Sequence, residues 1–153
     1  MGATLGTDRS SGSRPSASRA DPTRRTRETG RMPAPEPPLD GDELLAAVTE
    51  AMVELHRRYY HRKPVTAKTR MLGDDLLACV LAGVYTDVEK TMIELERAPT
   101  VRDTRNAFQN AMQQKFIDRV EHLSGRTVTA FISDSHIGPD IEIELFMLTP
   151  AMS

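Results

Sequence analysis

Gly83-Val84-Tyr85-Thr86-Asp87-Val88-Glu89 closes an apolar run and opens a helix. Thr86 and Glu89 have the spacing of a capping box. The threonine hydroxyl accepts from the third helical amide, and the glutamate reaches back to the cap amide. The run before it, Leu76 to Val84, is almost wholly apolar. That pattern predicts a central strand with both faces covered, or one at a subunit contact. Upstream, Val65 to Leu72 alternates in part and predicts another strand, with Gly73-Asp74-Asp75 as the turn between the two.

Helices flank this hairpin. Leu39-Asp40-Gly41-Asp42-Glu43-Leu44 reads as a helix start, with Asp40 as cap, Glu43 at the third position and Leu39 and Leu44 as a hydrophobic staple. Leu44, Val48, Met52, Leu55 and Tyr59 then form one helical face. Cations follow from Arg57 to Lys63, and Pro64 stops the helix. After the junction, Val88, Met92 and Leu95 are expected to point inward from a helix ending before Pro99. Thr100 with Asp103 is expected to cap a longer helix, whose stripe is Val101, Thr104, Phe108, Met112, Phe116, Val120 and Leu123. Ser124-Gly125 is its expected C-cap.

The chain returns to strand over Thr127 to Ser133, with Val128, Ala130 and Ile132 on one side. After a turn from Ser135 to Asp140, Ile141 to Leu145 alternates, read as apolar inward with Glu142 and Glu144 outward. The predicted class is α+β: a two-layer sandwich, order α-ββ-αα-ββ, with a four-stranded, mostly antiparallel sheet and helices on one face.

Residues 1–38 form an Arg/Ser/Pro-rich head and linker, and residues 39–150 the single folded domain. In residues 1–32, seven arginines oppose three acids, which leaves the rest of a chain of net charge −2 at −6. The head has almost no apolar residues and is expected to be disordered. It is read as a solvated tail, or as sequence preceding a true start at Met32. A nucleic-acid arm would call for interleaved aromatics and lysine clusters, and the acidic domain opposes approach to phosphate. The head also lacks the apolar core of a signal peptide, and the Leu76–Tyr85 run is about half the ~20 residues a membrane helix needs. Cys79, the single cysteine, is expected to be a buried structural thiol in a cytoplasmic protein.

From Asp40 to Pro150 the chain resembles the bacterial family named after MpsC, a component of a sodium-translocating, membrane-potential-generating system. The shared features are the capped first helix ending in an aromatic and the Gly73-Asp74-Asp75-Leu76 turn. With them go the Gly83-to-Glu89 junction, Leu123-Ser124-Gly125-Arg126-Thr127-Val128 and the Ile132-Ser133-Asp134 strand end. Two positions depart from the family pattern. His61-Arg62-Lys63-Pro64 replaces a glycine-flanked turn, and Asp87 stands where proline is common. The resemblance implies a non-enzymatic, cytosolic accessory protein tied to membrane bioenergetics, in some relatives to inorganic-carbon supply. It implies a protein partner, such as a membrane-embedded translocation subunit.

The residues themselves specify no reaction. Arg57, Arg58, Tyr60, Arg62 and Lys63 form the candidate binding surface for phosphate or acidic headgroups, against a plain reading as a cation-rich helix end. Asp134-Ser135-His136 holds the residue types of a triad, but adjacent residues on a turn rarely converge. His56 and His61 are five apart, off the spacing of a zinc-binding helix. Asp74 and Asp75 offer too few oxygens for a hard cation, so no cofactor and no metal is expected. The reading is an accessory protein acting through contacts, with a small-ligand or nucleotide-sensing domain as the alternative. The doubly apolar Leu76–Val84 strand predicts a homodimer through the sheet, whose outer face bears Leu77, Cys79, Leu81 and Gly83 or the opposite set.

Overall fold

A computed structural model describes residues 37–151; the head expected to be disordered lies outside the described residues. Among the described residues the elements are α1 (Gly41–Tyr60), β1 (Thr66–Leu72), β2 (Leu76–Ala82), α2 (Asp87–Glu94), α3 (Ala98–Ser124), β3 (Val128–His136) and β4 (Ile141–Leu148). The strands form one antiparallel sheet in the order β1-β2-β4-β3. Helices pack on it, and the α-ββ-αα-ββ order is as the sequence predicts. No described helix is long and apolar enough to cross a membrane.

The junction is built as its sequence requires. Glu89 N donates to Thr86 Oγ1 at 3.2 Å and Thr86 N to Glu89 Oε1 at 3.0 Å. Asp87 occupies the first helical position, where its charge suits the helix N-terminus as proline's fixed φ would suit the backbone. Gly83 has φ +67, and a Cβ there would lie 2.4 Å from Val65 Cγ2. The amides of Val84 and Tyr85 then donate to the Asp140 carboxylate at 2.8 and 3.4 Å, tying the junction to the β3–β4 turn. Thr86→Ala is expected to cost about 0.5–2 kcal/mol, read as a lower urea midpoint. An unchanged midpoint would mean that the cap carries no stability.

Several local expectations are corrected. Asp40 is the residue before α1, but its side chain makes no cap bond. The positive φ of Gly41 turns the chain there, and only the Asp40 carbonyl accepts, from Leu44 N. Tyr59 is half-buried, while Ala51 and His56 join Leu44, Val48, Met52 and Leu55 inside. His61 ends α1 with φ 55, a conformation in which a family-type glycine would be unstrained. Val88 in α2 and Leu95 just after it are exposed; Met92 and Ile93 are the α2 residues packed against the core. Two turns of helix present only one narrow side inward.

The long helix starts earlier than predicted. Arg97, not Thr100, precedes α3, and Pro99 fits its first turn because amides there have no helical partner. The buried stripe is Val101, Arg105, Gln109, Met112, Phe116, Val120 and Ser124. Thr104 is exposed and Phe108 half-buried. Gly125 closes the helix with φ +65, as predicted, and a Cβ there would lie 2.7 Å from Pro38 Cγ.

The sheet also inverts two readings. A register shift between Val128 and Ala130 interrupts the β3 alternation. Phe131 packs against the core, and Ile132 is 60% exposed. In β4, Glu142, Glu144, Phe146 and Leu148 face the helices, and Ile143 and Met147 face outward. The acidic residues are inside because Phe146 and Leu148 share their parity and the core takes that face. In β2, Leu77, Cys79 and Leu81 are fully buried, so the outer set is Leu76, Ala78, Val80 and Ala82.

Candidate functional site

Glu142 and Glu144 create a polar layer within the core. The register places Leu81, Glu142 and Ser135 in one inner row and Thr69, Cys79, Glu144 and Ser133 in the next. Above them lie α1 with His56 and Tyr60, and α3 with Arg105 and Gln109. Glu142, Glu144, His56 and Arg105 are each at most 1% exposed. Charged groups are rarely so buried without partners.

Arg105 anchors the layer. Its Nε and Nη2 donate to Glu89 at 2.6 and 2.8 Å, and Nη2 also donates to the Val84 carbonyl at 2.8 Å. The guanidinium lies over the Tyr60 and Tyr85 rings, 4.5 Å from each centroid, a cation–π contact with both. Nη1 has no hydrogen-bond partner and stands 3.6 Å from Glu142 Oε1. Burial works against ionised Glu89, but the Arg105 hydrogen bond and the Thr86 amide outweigh it, and its pKa lies below the usual value. The glutamate that caps α2 thus also neutralises the buried arginine.

The second half of the layer centres on His56. Its Nδ1 is 2.8 Å from the Met52 carbonyl, which can only accept, so Nδ1 carries a proton. Nε2 then faces Glu142 Oε2 in close contact and lies 3.9 Å from Glu144 Oε1. Gln109 Nε2 donates to Glu142 Oε1 at 2.9 Å and to Tyr60 Oη at 3.2 Å. Glu144 Oε2 has no hydrogen-bond partner. Desolvation, followed by repulsion from Glu142, raises the Glu144 pKa well above that of an ordinary carboxylate. Burial, above all, also raises the Tyr60 phenol and pushes the Cys79 thiol up to about 11. Cys79 is therefore the inert, buried thiol the sequence predicts.

Of the five predicted surface residues, only Tyr60 reaches this layer. Its ring packs on His56, Phe108 and Arg105. Arg57 pairs with Glu54 on the helix surface at 2.7 Å, and Arg58 lies over the Tyr59 ring. Arg62 donates to the Gly83 carbonyl at 3.1 Å, and Lys63 is exposed. Arg57, Arg58 and Arg62 thus each meet a different partner. Asp134-Ser135-His136 lies in β3, not on a turn; Asp134 and His136 face out, while Ser135 is half-buried beside Glu142. Asp74 and Asp75 are exposed turn residues.

The residues of the buried layer had partial signals. Arg105 and Gln109 are as well spaced with Val101, Met112, Phe116 and Val120 as Thr104 and Phe108 are. The parity shared by Glu142, Glu144, Phe146 and Leu148 was visible once the strand is extended to Leu148. That His56 meets Glu142, 86 residues away, has no local signature.

The fold and layer define a two-layer α+β domain whose core is crossed by a charged network. The family described as Na+-translocating membrane potential-generating system (MpsC) matches residues 41–150, and the chain belongs to it. No curated protein and no solved structure matches.

Proposed function

We propose that this chain is a non-catalytic accessory component of a Na+-translocating, membrane-potential-generating system. It acts through protein contacts at the cytoplasmic side of the membrane, as a homodimer joined through its sheet. Family membership supports the system. The observation that carries the mode of action is the outer sheet face. Among the described residues it bears Leu72 at 55% exposure, Ile132 at 60%, Ile143 at 38% and Met147 at 37%. Apolar patches of this kind mark interfaces.

A second copy fits this face by charge as well as by hydrophobicity. One outer row runs Lys68, Val80, Ile143, Asp134 across the sheet, and the next runs Arg70, Ala78, Leu145, Ile132. A two-fold axis parallel to the strands lays the first row on its own reverse, with Lys68 opposite Asp134 of the second copy. That is the self-complementarity an isologous dimer needs. The dimer then presents its helical faces to other subunits.

Light scattering on the purified chain tests the dimer, and co-purification from native membranes tests the system. A dimer that brings down a multi-spanning membrane subunit is the expected result. A monomer at tens of micromolar, including one whose face is covered by residues 1–36, would overturn the sheet dimer. Recovery of no membrane subunit under crosslinking would overturn the accessory role.

A further inference from the structure

We propose that His56, Glu142 and Glu144 form a binding site for a divalent first-row transition cation, with His56 Nε2 and one oxygen of each glutamate as ligands. Each residue offers a ligand atom, and these atoms all lie within 4.8 Å of one another. Ligand atoms bonded at about 2.0–2.2 Å to one cation stand roughly 3–3.6 Å apart, so small rotations of buried side chains complete the set.

The surroundings favour a cation over an empty polar layer. His56 Nδ1–H donates to the Met52 carbonyl, the arrangement that fixes a metal-bound histidine's tautomer and turns the Nε2 lone pair to the ion. That lone pair faces Glu142 Oε2, which when ionised has only lone pairs of its own. The contact is attractive only with a positive centre, a proton or a metal ion, between the two atoms. Glu144 Oε2, fully buried, has no hydrogen-bond partner to stabilise it. Gln109 holds the other oxygen of Glu142 and so orients that ligand from behind.

Charge balance points the same way. Three carboxyl groups, those of Glu89, Glu142 and Glu144, share the single guanidinium of Arg105 in this layer. A divalent cation would serve the carboxylate oxygens that Arg105 does not reach. Arg105 Nε and Nη2 are committed to Glu89 and the Val84 carbonyl, and its Nη1 stands 3.6 Å from Glu142 Oε1, the oxygen Gln109 holds, and not from the Oε2 that faces His56. One imidazole and two carboxylates suit zinc, manganese(II) or iron(II), whereas an alkali ion prefers oxygen alone. Three protein ligands leave a coordination position open.

The test uses the untagged full-length chain, unfolded in denaturant with a chelator and refolded with zinc, manganese(II) or cobalt(II). Refolding is needed because the site is closed to solvent. The expected result is one tightly held ion per chain and a rise in Tm of about 10 °C at ~100 times Kd. With cobalt(II), visible absorption bands should report a nitrogen-containing coordination sphere. Glu144→Gln, which keeps the shape and removes the charge, should fold by circular dichroism and bind at least about tenfold more weakly. Absence of metal and of any Tm shift with all three ions would overturn the proposal, leaving protons alone to neutralise the layer. Equal binding by Glu144→Gln and the unmodified chain would overturn it too, by placing the ion elsewhere.

Discussion

Arg105→Ala is expected to destabilise the domain by about 3–5 kcal/mol, seen as a large fall in the urea midpoint. Arg105 is 1% exposed and is the one cation among Glu89, Glu142 and Glu144. Removing it strands buried negative charge and leaves the Val84 carbonyl without its side-chain donor. It also removes the cation–π contacts with Tyr60 and Tyr85. Arg105→Lys keeps the charge but not the planar fork that meets Glu89 twice, so it should recover only part of the loss. A midpoint unchanged in Arg105→Ala would show that the network contributes no stability.

The second large effect separates the two faces of the sheet. Leu77→Lys should lose at least about 3 kcal/mol and abolish cooperative folding. Leu77 is fully buried opposite Phe146, and an ammonium there has no partner in the row. Ile143→Lys, on the adjacent strand but the opposite face, should still fold cooperatively, losing at most the stability that dimerisation adds. Ile143 is 38% exposed and pairs across strands with Asp134, which can receive the new charge. The same variant should halve the mass seen by light scattering if the sheet face forms the dimer. A folded Leu77→Lys would mean that the inner face is misassigned.

Much of the fold is written locally. The Thr86–Glu89 box, Gly83, Gly125 and the Gly73-Asp74-Asp75 turn act through bonds and dihedrals among near neighbours, so their meaning is legible where they stand. The order of elements follows, because each helix and strand is delimited by such signals. The family resemblance rests on the same turns and caps, and the match over residues 41–150 bears it out.

Facing was harder to read. Ile141 to Leu145 taken alone places its isoleucines inward, since apolar burial normally outweighs the cost of exposing carboxylates. The order of energies reverses only when Phe146 and Leu148 must share a face with Glu142 and Glu144, and when His56, Arg105 and Gln109 meet those carboxylates in the interior. On α3, Thr104–Phe108 and Arg105–Gln109 have equivalent helical spacing, and what decides between them is again the charge on β4.

The sequence by itself therefore determined the class, the element order, the junction and the inert Cys79, all of which depend on short-range geometry or composition. Tertiary structure alone decided that the acidic residues lie inside and that β3 shifts register. It also decided that the outer face is Val80, Ile143 and Met147 and that a histidine on the first helix meets two glutamates on the last strand. The physical reason is that a buried charge is tolerable only beside its partner, and these partners come from α1, α2, α3 and β4. Their proximity exists only once the sheet has closed beneath the helices.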